Sequence, residues 1–145
     1  MLSRRSSTLA VILATATLLF VSDIAAQAQS ADTREVFVVR QDESDCTNTT
    51  VPNVDSPNVR GTLLLARDPD GNTTVKVAIT ASPDTTYHFF LKCVRQLGDI
   101  TTGDEGVGLA AFTFPTNTVG STYAFDSYPE GAPLGNKFQS VTVKF

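Results

Sequence analysis

Apolar and polar residues alternate one position at a time along most of this chain, and this pattern restricts its fold most. The apolar positions of the stretch 73–81 are every second one: Val75, Val77, Ile79 and Ala81. Side chains of a β-strand repeat on one face with this period of two, whereas a helix repeats them every three or four residues. No stretch after residue 30 has convincing helical spacing. The sequence therefore predicts an all-β fold of antiparallel strands with one face in water.

Turn-forming residues divide the alternating stretches into seven predicted strands. The segment "DPDGN" (68–72) combines Pro, Gly and Asp, which predicts a β-hairpin between the strands on either side. The predicted strands cover 34–41, 59–67, 73–81, 85–94, 109–114, 122–128 and 137–145. Two polar segments, 41–58 and 96–108, are predicted to be loops. Seven short strands separated by turns are typical of an antiparallel β-sandwich.

The first 28 residues have the features of a secretory signal peptide. Arg4 and Arg5 precede an apolar run over 9–21, and "AQA" (26–28) supplies small residues for cleavage. Thirteen residues rise only about 20 Å as a helix, which is short for a membrane core of about 30 Å. We therefore expect a cleaved signal peptide, residues 1–28, and a single β-sandwich domain, residues 29–145. The corresponding localisation is secreted or periplasmic.

The charge of the chain disfavours two classes of partner. The net charge of −4 becomes −5 once residues 1–28, with two Arg and one Asp, are removed. An acidic chain lacks the basic surface that binds nucleic acid or anionic lipid. No second apolar run reaches 18 residues, so we expect no stable membrane insertion after cleavage. The partners that remain are proteins or glycans, and the sequence does not choose between them.

The chain has two cysteines, Cys46 and Cys93. Because exported proteins form disulfides in oxidising compartments, we predict a bond between them. This bond would close a loop of about 48 residues, for which the chain-entropy model gives at most about 4 kcal/mol of stabilisation.

The only histidine, His88, lies five residues before Cys93, which raises the question of a catalytic pair. Strand parity predicts that Tyr87, Phe89, Leu91 and Cys93 face the interior and that His88, Phe90, Lys92 and Val94 face outward. A nucleophile and its base must lie within hydrogen-bond reach, which an odd spacing on a regular strand prevents. The sequence therefore predicts a surface histidine, a buried half-cystine and no catalytic residues.

Motifs for other chemistry are incomplete. No G-x-S-x-G segment is present, and one histidine with two paired cysteines leaves too few ligands for zinc. The segment 68–72 offers alternate acidic residues, but Thr73 and Ile79 stand where a calcium-binding EF-hand loop needs Gly and Glu. We therefore expect no cofactor and no metal. A looser calcium site that combines 68–72 with "QDESD" (41–45) or with "GDEG" (103–106) stays open as an alternative.

The stretch "SPDTTYHFFL" (82–91) resembles the corner of an immunoglobulin-like or fibronectin type III domain, as found in small exported bacterial β-sandwich proteins. Pro83, Thr85 and Tyr87 match a Pro-x-Thr-x-Tyr turn that leads into a strand. The resemblance implies a sandwich fold in which the tyrosine hydroxyl bonds to the chain a few residues upstream. In those families the corner precedes the last pair of strands, whereas here three predicted strands follow.

These observations together predict a non-enzymatic binding or interaction module on a disulfide-linked β-sandwich. The two polar segments, 41–58 and 96–108, are the candidate binding loops, because binding residues of such scaffolds tend to lie in loops. Two alternatives stay open. One is a hydrolase built on the sandwich, and the other is a small outer-membrane β-barrel, which the alternating C-terminal stretch "SVTVKF" resembles.

Overall fold

The structure, a computed structural model, describes residues 32–42, 46 and 58–145. This part of the chain consists of antiparallel strands and one turn of 3-10 helix, which confirms the predicted all-β class. The predicted signal peptide, residues 1–28, and most of the predicted loop 41–58 lie outside the described residues.

Ten strands follow one another in the described part of the chain. A short 3-10 helix, Thr116–Thr118, lies between the sixth strand and the seventh. In chain order the strands are β1 (Asp32–Arg40), β2 (Val59–Arg67), β3 (Asn72–Thr80), β4 (Thr86–Leu91), β5 (Arg95–Thr101), β6 (Val107–Pro115), β7 (Thr122–Tyr123), β8 (Phe125–Tyr128), β9 (Phe138–Ser140) and β10 (Val143–Lys144).

Eight of these strands form one hydrogen-bonded sheet in the order β5-β4-β8-β9-β1-β2-β3-β6, and β7 pairs with β10 separately. The predicted count of seven strands is therefore too low. Two predicted strands, 122–128 and 137–145, each divide into two because the chain leaves one sheet and joins the other. The division falls at Ala124 in the first and at Val141–Thr142 in the second.

The predicted loop 96–108 is wrong, because most of it is strand β5, a turn and the start of β6. The alternation fails there because β5 contains a bulge. Phe89 pairs with Gly98 and Phe90 pairs with Gln96, so Leu97 is an extra residue in the ladder. A bulge shifts the pattern by one position and hides a strand from a search for a period of two.

The eight-stranded sheet curls until its two edge strands, β5 and β6, meet. An added side-chain carbon at Gly98 would lie 2.5 Å from the ring of Phe112, and one at Gly108 would lie 2.8 Å from Ile100. The side chains of Phe112 and Ile100 can lie this close to the backbone because both positions are glycines. In the described part of the chain, one isolated β-bridge, between Thr102 and Gly108, joins the residue after β5 to the start of β6. The result is a nearly closed, barrel-like sheet.

The interior of the curled sheet holds a single aromatic-rich core. Phe89 stacks on Phe112 and on Phe125, with ring centroids 5.2 Å apart in both pairs. Tyr87, Phe89 and Leu91 are buried, as the alternation of β4 predicts. The remaining buried apolar residues of the core are Val38, Leu63, Leu65, Val75, Val77, Ile79, Ile100, Phe114, Tyr123, Phe125, Phe138 and Val143.

The corner before β4 contains the hydrogen bond that the sequence predicts. The Tyr87 hydroxyl accepts a bond from the backbone N–H of Ser82 at 3.0 Å and donates one to the side-chain oxygen of Asn136. The tyrosine therefore ties the chain before β4 to the segment before β9. The wider resemblance to immunoglobulin-like domains stays a prediction.

The contact between Gly98 and Phe112 predicts a selective sensitivity to a single methyl group. We expect Gly98→Ala to lower the free energy of unfolding by about 1–3 kcal/mol, because the Phe112 ring has to move. Gly120→Ala is the matched control, since an added carbon there meets no atom of the described residues within 4 Å. Urea unfolding of the two variants measures the difference, and equal stabilities would contradict the proposed role of Gly98.

Candidate functional site

A tight turn at Lys92–Val94 connects β4 to β5. The backbone N–H of Val94 donates to the carbonyl of Leu91 at 2.9 Å, and Cys93 has a φ of 59°. The prediction that Cys93 lies on the strand and faces the interior is therefore wrong. The strand ends at Leu91, and the left-handed turn places Cys93 at the surface.

The predicted disulfide between Cys46 and Cys93 is present, with 5.5 Å between the two Cα atoms. It attaches residue 46 of the predicted loop 41–58 to the turn that leads into β5. Both cysteines are oxidised, so neither provides a thiolate. The bond removes the nucleophile that a His88–Cys93 pair would need.

A cleft of about 360 Å³ lies beside this disulfide, on the outer face of the sheet. Its volume falls in the range of small-molecule sites, about 300–1,000 Å³. The lining is mixed, with aromatic, aliphatic, amide and charged side chains. The residues that form it are Cys46, Phe90, Leu91, Cys93, Val94, Arg95, Gln96, Asp126 and Tyr128.

Asp126 is the ionisable group of the cleft with the most unusual surroundings. It is only 8% exposed, and its Oδ1 atom has no hydrogen-bond partner among residues 32–42, 46 and 58–145. The register of β8 against β4 places Asp126 opposite Phe90, on the outer face of the sheet. A buried oxygen without a partner costs free energy, so this carboxyl group can accept a hydrogen bond at little further cost.

A buried lysine accompanies this carboxyl group. The Nζ atom of Lys92 lies 4.0 Å from Oδ1 of Asp126 and donates a hydrogen bond to Oε1 of Gln139 at 2.7 Å. The sequence predicts that Lys92 faces outward, yet it is buried at 7% exposure. Its hydrogen bond and its proximity to Asp126 offset part of the cost of burying its charge.

Burial raises the pKa of Asp126 to about 6, although the positive charge of Lys92 acts in the opposite direction. The lysine does not cancel the effect of burial, because 4.0 Å is the limit of an ion pair and too long for a hydrogen bond. The carboxyl group therefore changes its charge close to neutral pH.

An aromatic pair forms one wall of the cleft. Phe90 and Tyr128 stack with their ring centroids 4.8 Å apart, and both are half-buried. Partly exposed aromatic rings next to polar groups supply apolar contact area while their surroundings supply hydrogen bonds.

His88 lies outward next to this pair, as the sequence predicts. Its Nδ1 atom is 2.7 Å from Oδ1 of Asp99, and its Nε2 atom is 3.4 Å from Oε2 of Glu130. The hydrogen bond with Asp99 is the main reason that the pKa of His88 is raised above its ordinary value of 6.5. Burial lowers it to a smaller extent, and Glu130 also raises it.

Sequence reasoning did not single out Asp126 or Tyr128. Both occur in "TYAFDSY" (122–128), where an acidic residue stands within an otherwise apolar or hydroxyl-bearing stretch. The sequence signal that could have identified Asp126 is an acidic residue inside a predicted strand, directly after Phe125. Its burial depends on neighbours that are distant along the chain.

The structure describes the candidate binding loop 96–108 in full and the candidate binding loop 41–58 only in part. Most of 41–58 lies outside the described residues, although the side chain of Asp42 accepts a bond from the N–H of Gly135 at 2.7 Å. Of the segment 96–108, Gln96 contributes to the cleft, and it does so from a strand.

Within residues 32–42, 46 and 58–145, no three His, Cys, Asp or Glu side chains are placed to hold a metal ion together. Asp68 of the proposed calcium segment accepts the backbone N–H of Asn72 at 2.8 Å and so stabilises the hairpin turn. No helix in the described part of the chain has the length and hydropathy needed to cross a membrane.

The chain matches no protein-family model. A comparison with curated proteins also finds no match. The cleft and its chemistry are therefore the basis on which function is inferred.

The raised pKa of Asp126 predicts a measurable stability change. Its folded pKa of about 6 lies above the ordinary value of 3.8, so the folded state binds the proton more tightly than the unfolded state does. The stabilisation is present at low pH and is lost as pH rises to about 6 and above. For a shift of this size the change is about 3 kcal/mol.

The variant Asp126→Asn keeps the shape of the side chain and cannot ionise. The unfolding free energy of the variant minus that of the wild type should therefore increase by up to about 3 kcal/mol between pH 4 and pH 7.5. Urea unfolding at several pH values measures this difference. A difference that stays constant with pH would contradict the raised pKa.

The environment of His88 predicts a second titration that can be read without ambiguity, because the chain has one histidine. We expect its ring protons to titrate by NMR above pH 6.5, and Asp99→Asn to lower the midpoint by removing the strongest partner. Asp104→Asn is the control, since Asp104 is exposed in the turn before β6. An unchanged midpoint in Asp99→Asn would exclude the hydrogen bond as the cause.

Proposed function

We propose that this protein is an exported, non-enzymatic binding module that holds its ligand in the cleft beside Cys46 and Cys93. The observation that carries the proposal is Asp126, a buried residue of the cleft lining whose Oδ1 atom has no hydrogen-bond partner among the described residues. A ligand that donates a hydrogen bond to this atom removes its desolvation penalty, so the site gains affinity from a group already in place.

The lining supports a glycan as the ligand class. A sugar ring presents hydroxyl donors at its rim and C–H groups on its faces, and the cleft offers matching groups for both. The Asp126 carboxylate can bond hydroxyls, and the Gln96 side-chain oxygen can do so while its Nε2 group donates to Asp99, whereas Phe90 and Tyr128 supply partly exposed aromatic surface. The volume of about 360 Å³ is that of a small-ligand site, whereas a protein partner uses a surface of about 800 Å².

The disulfide supports a location outside the cytoplasm, where thiols are not kept reduced. Secretion or a periplasmic location, with cleavage after residue 28, is part of the proposal and depends on the N-terminal sequence. The relation to immunoglobulin-like sandwich domains is also proposed here, and the hydrogen bond from Ser82 to Tyr87 supports it.

A hydrolase is the alternative that the proposal sets aside. Cys93 is held in a disulfide, and the described partners of the His88 ring nitrogens are Asp99, Gln96 and Glu130, none of which is a nucleophilic hydroxyl. A screen of esterase and glycosidase substrates separates the two functions, since turnover that is lost in His88→Ala would favour the hydrolase.

A glycan array probed with the mature protein, followed by calorimetry on the glycans it retains, tests the proposal. We expect Asp126→Asn to weaken binding at least about tenfold, because a hydrogen bond to a charged group contributes about 1.5–3 kcal/mol. Tyr128→Ala should weaken binding to the same glycans by removing aromatic contact. Wild-type affinity should also rise as pH increases through 6, because the carboxylate is the better acceptor.

Asp104→Asn serves as the matched control, since it removes an exposed carboxylate away from the cleft. Circular dichroism confirms that each variant is folded. The proposal is overturned by an array with no retained glycan, or by glycan binding that Asp126→Asn and Tyr128→Ala leave unchanged.

A further inference from the structure

The outer face of β1, β2, β3 and β6 carries two rows of side chains that we call the apolar face. Cross-strand pairing aligns one row as Phe37, Thr62, Ala78 and Leu109, and the next row as Glu35, Leu64, Lys76 and Ala111. Because all eight positions have outward parity, they form a continuous surface across four neighbouring strands.

This face is unusually apolar for an exposed surface. Leu109 is 73% exposed, Phe37 is 46% exposed and Leu64 is 43% exposed. Phe37 and Leu109 stand at the two ends of one row, and Leu64 lies in the adjacent row between them. Soluble proteins rarely leave several large apolar side chains on one face in water unless another surface covers them.

We propose that the apolar face binds a second copy of the same chain. The reason is that the row through Leu64 is complementary to itself: Glu35 lies on one neighbour of β2 and Lys76 lies on the other. Both charged side chains are exposed. A two-fold axis exchanges the left and right sides of a surface, so it brings opposite charges together.

The axis that achieves this runs along β2, midway between the two facing sheets. Leu64 then faces Leu64 of the second copy, and Glu35 faces its Lys76. In the adjacent row, the large ring of Phe37 faces the small side chain of Ala78, because these residues also flank β2. Sheets that pack face to face keep their strands within about 30°, so the two rows stay close to opposed.

The dimensions of the face fit a modest dimer. With the axis along β2, the strands β1, β2 and β3 face the same strands of the second copy over a width of about 14 Å, and nine residues of each extend about 30 Å. Because the sheet curls, the strands nearest the axis make the contact, and this area is about half of the roughly 800 Å² that each partner contributes to a standard interface. The cleft lies on the other side of β9, on β4, β5 and β8, so the dimer leaves both clefts open.

Variants that reverse the charges of Glu35 and Lys76 test the proposed dimer. Analytical ultracentrifugation of the mature protein over a concentration series should show a monomer–dimer equilibrium. Lys76→Glu alone and Glu35→Lys alone each place like charges opposite one another and should weaken the dimer by about tenfold or more. The double variant with both exchanges should recover most of the wild-type affinity, because opposite charges face each other again.

Two further variants complete the experiment. Leu64→Glu places two like charges together at the axis and should leave the chain monomeric while glycan binding is unchanged. Asp104→Lys is the control for a change from acid to base at an exposed site away from the face. A chain that is monomeric at all concentrations, a dimer that tolerates Leu64→Glu, or a double exchange without recovery would each overturn the proposal.

Discussion

The contact between the Phe112 ring and the backbone of Gly98 is the constraint on which the curled sheet depends. It brings the two edge strands together and allows one sheet to enclose a core. Phe89 of β4 stacks on the same Phe112 ring, so the buried face of β4 is held toward the interior. Because strand side chains alternate, the opposite face of β4 is held equally well, and that face forms a wall of the cleft.

The proposed binding function depends on three features of the cleft. A stacked aromatic pair supplies rigid apolar surface, and a buried carboxyl group supplies an oxygen that has no hydrogen-bond partner in the described part of the chain. The disulfide joins the turn at one end of the cleft, where a left-handed residue ends β4. A buried carboxylate oxygen without a hydrogen bond costs stability, and such a cost is typical of a site that a ligand completes.

The proposed glycan site and the proposed dimer face use different strands of one sheet. The first lies on β4, β5 and β8, and the second on β1, β2, β3 and β6. Two copies joined through the apolar face would carry two clefts. A protein with two sites gains avidity for a ligand that is repeated on a surface, even where each site binds weakly.

The sequence by itself determined the all-β class, the disulfide partners, the buried face of β4 and the outward position of His88. These features depend on period-two alternation or on the number of cysteines, both of which are local or compositional. Only the tertiary structure decided the strand β5, the exposed turn position of Cys93 and the burial of Lys92 and Asp126. A bulge interrupts the alternation at Leu97, a turn ends β4 two residues before Cys93, and burial is set by strands distant along the chain. Local pattern carries no information about such neighbours, so the cleft could be found only after the sheet had been assembled.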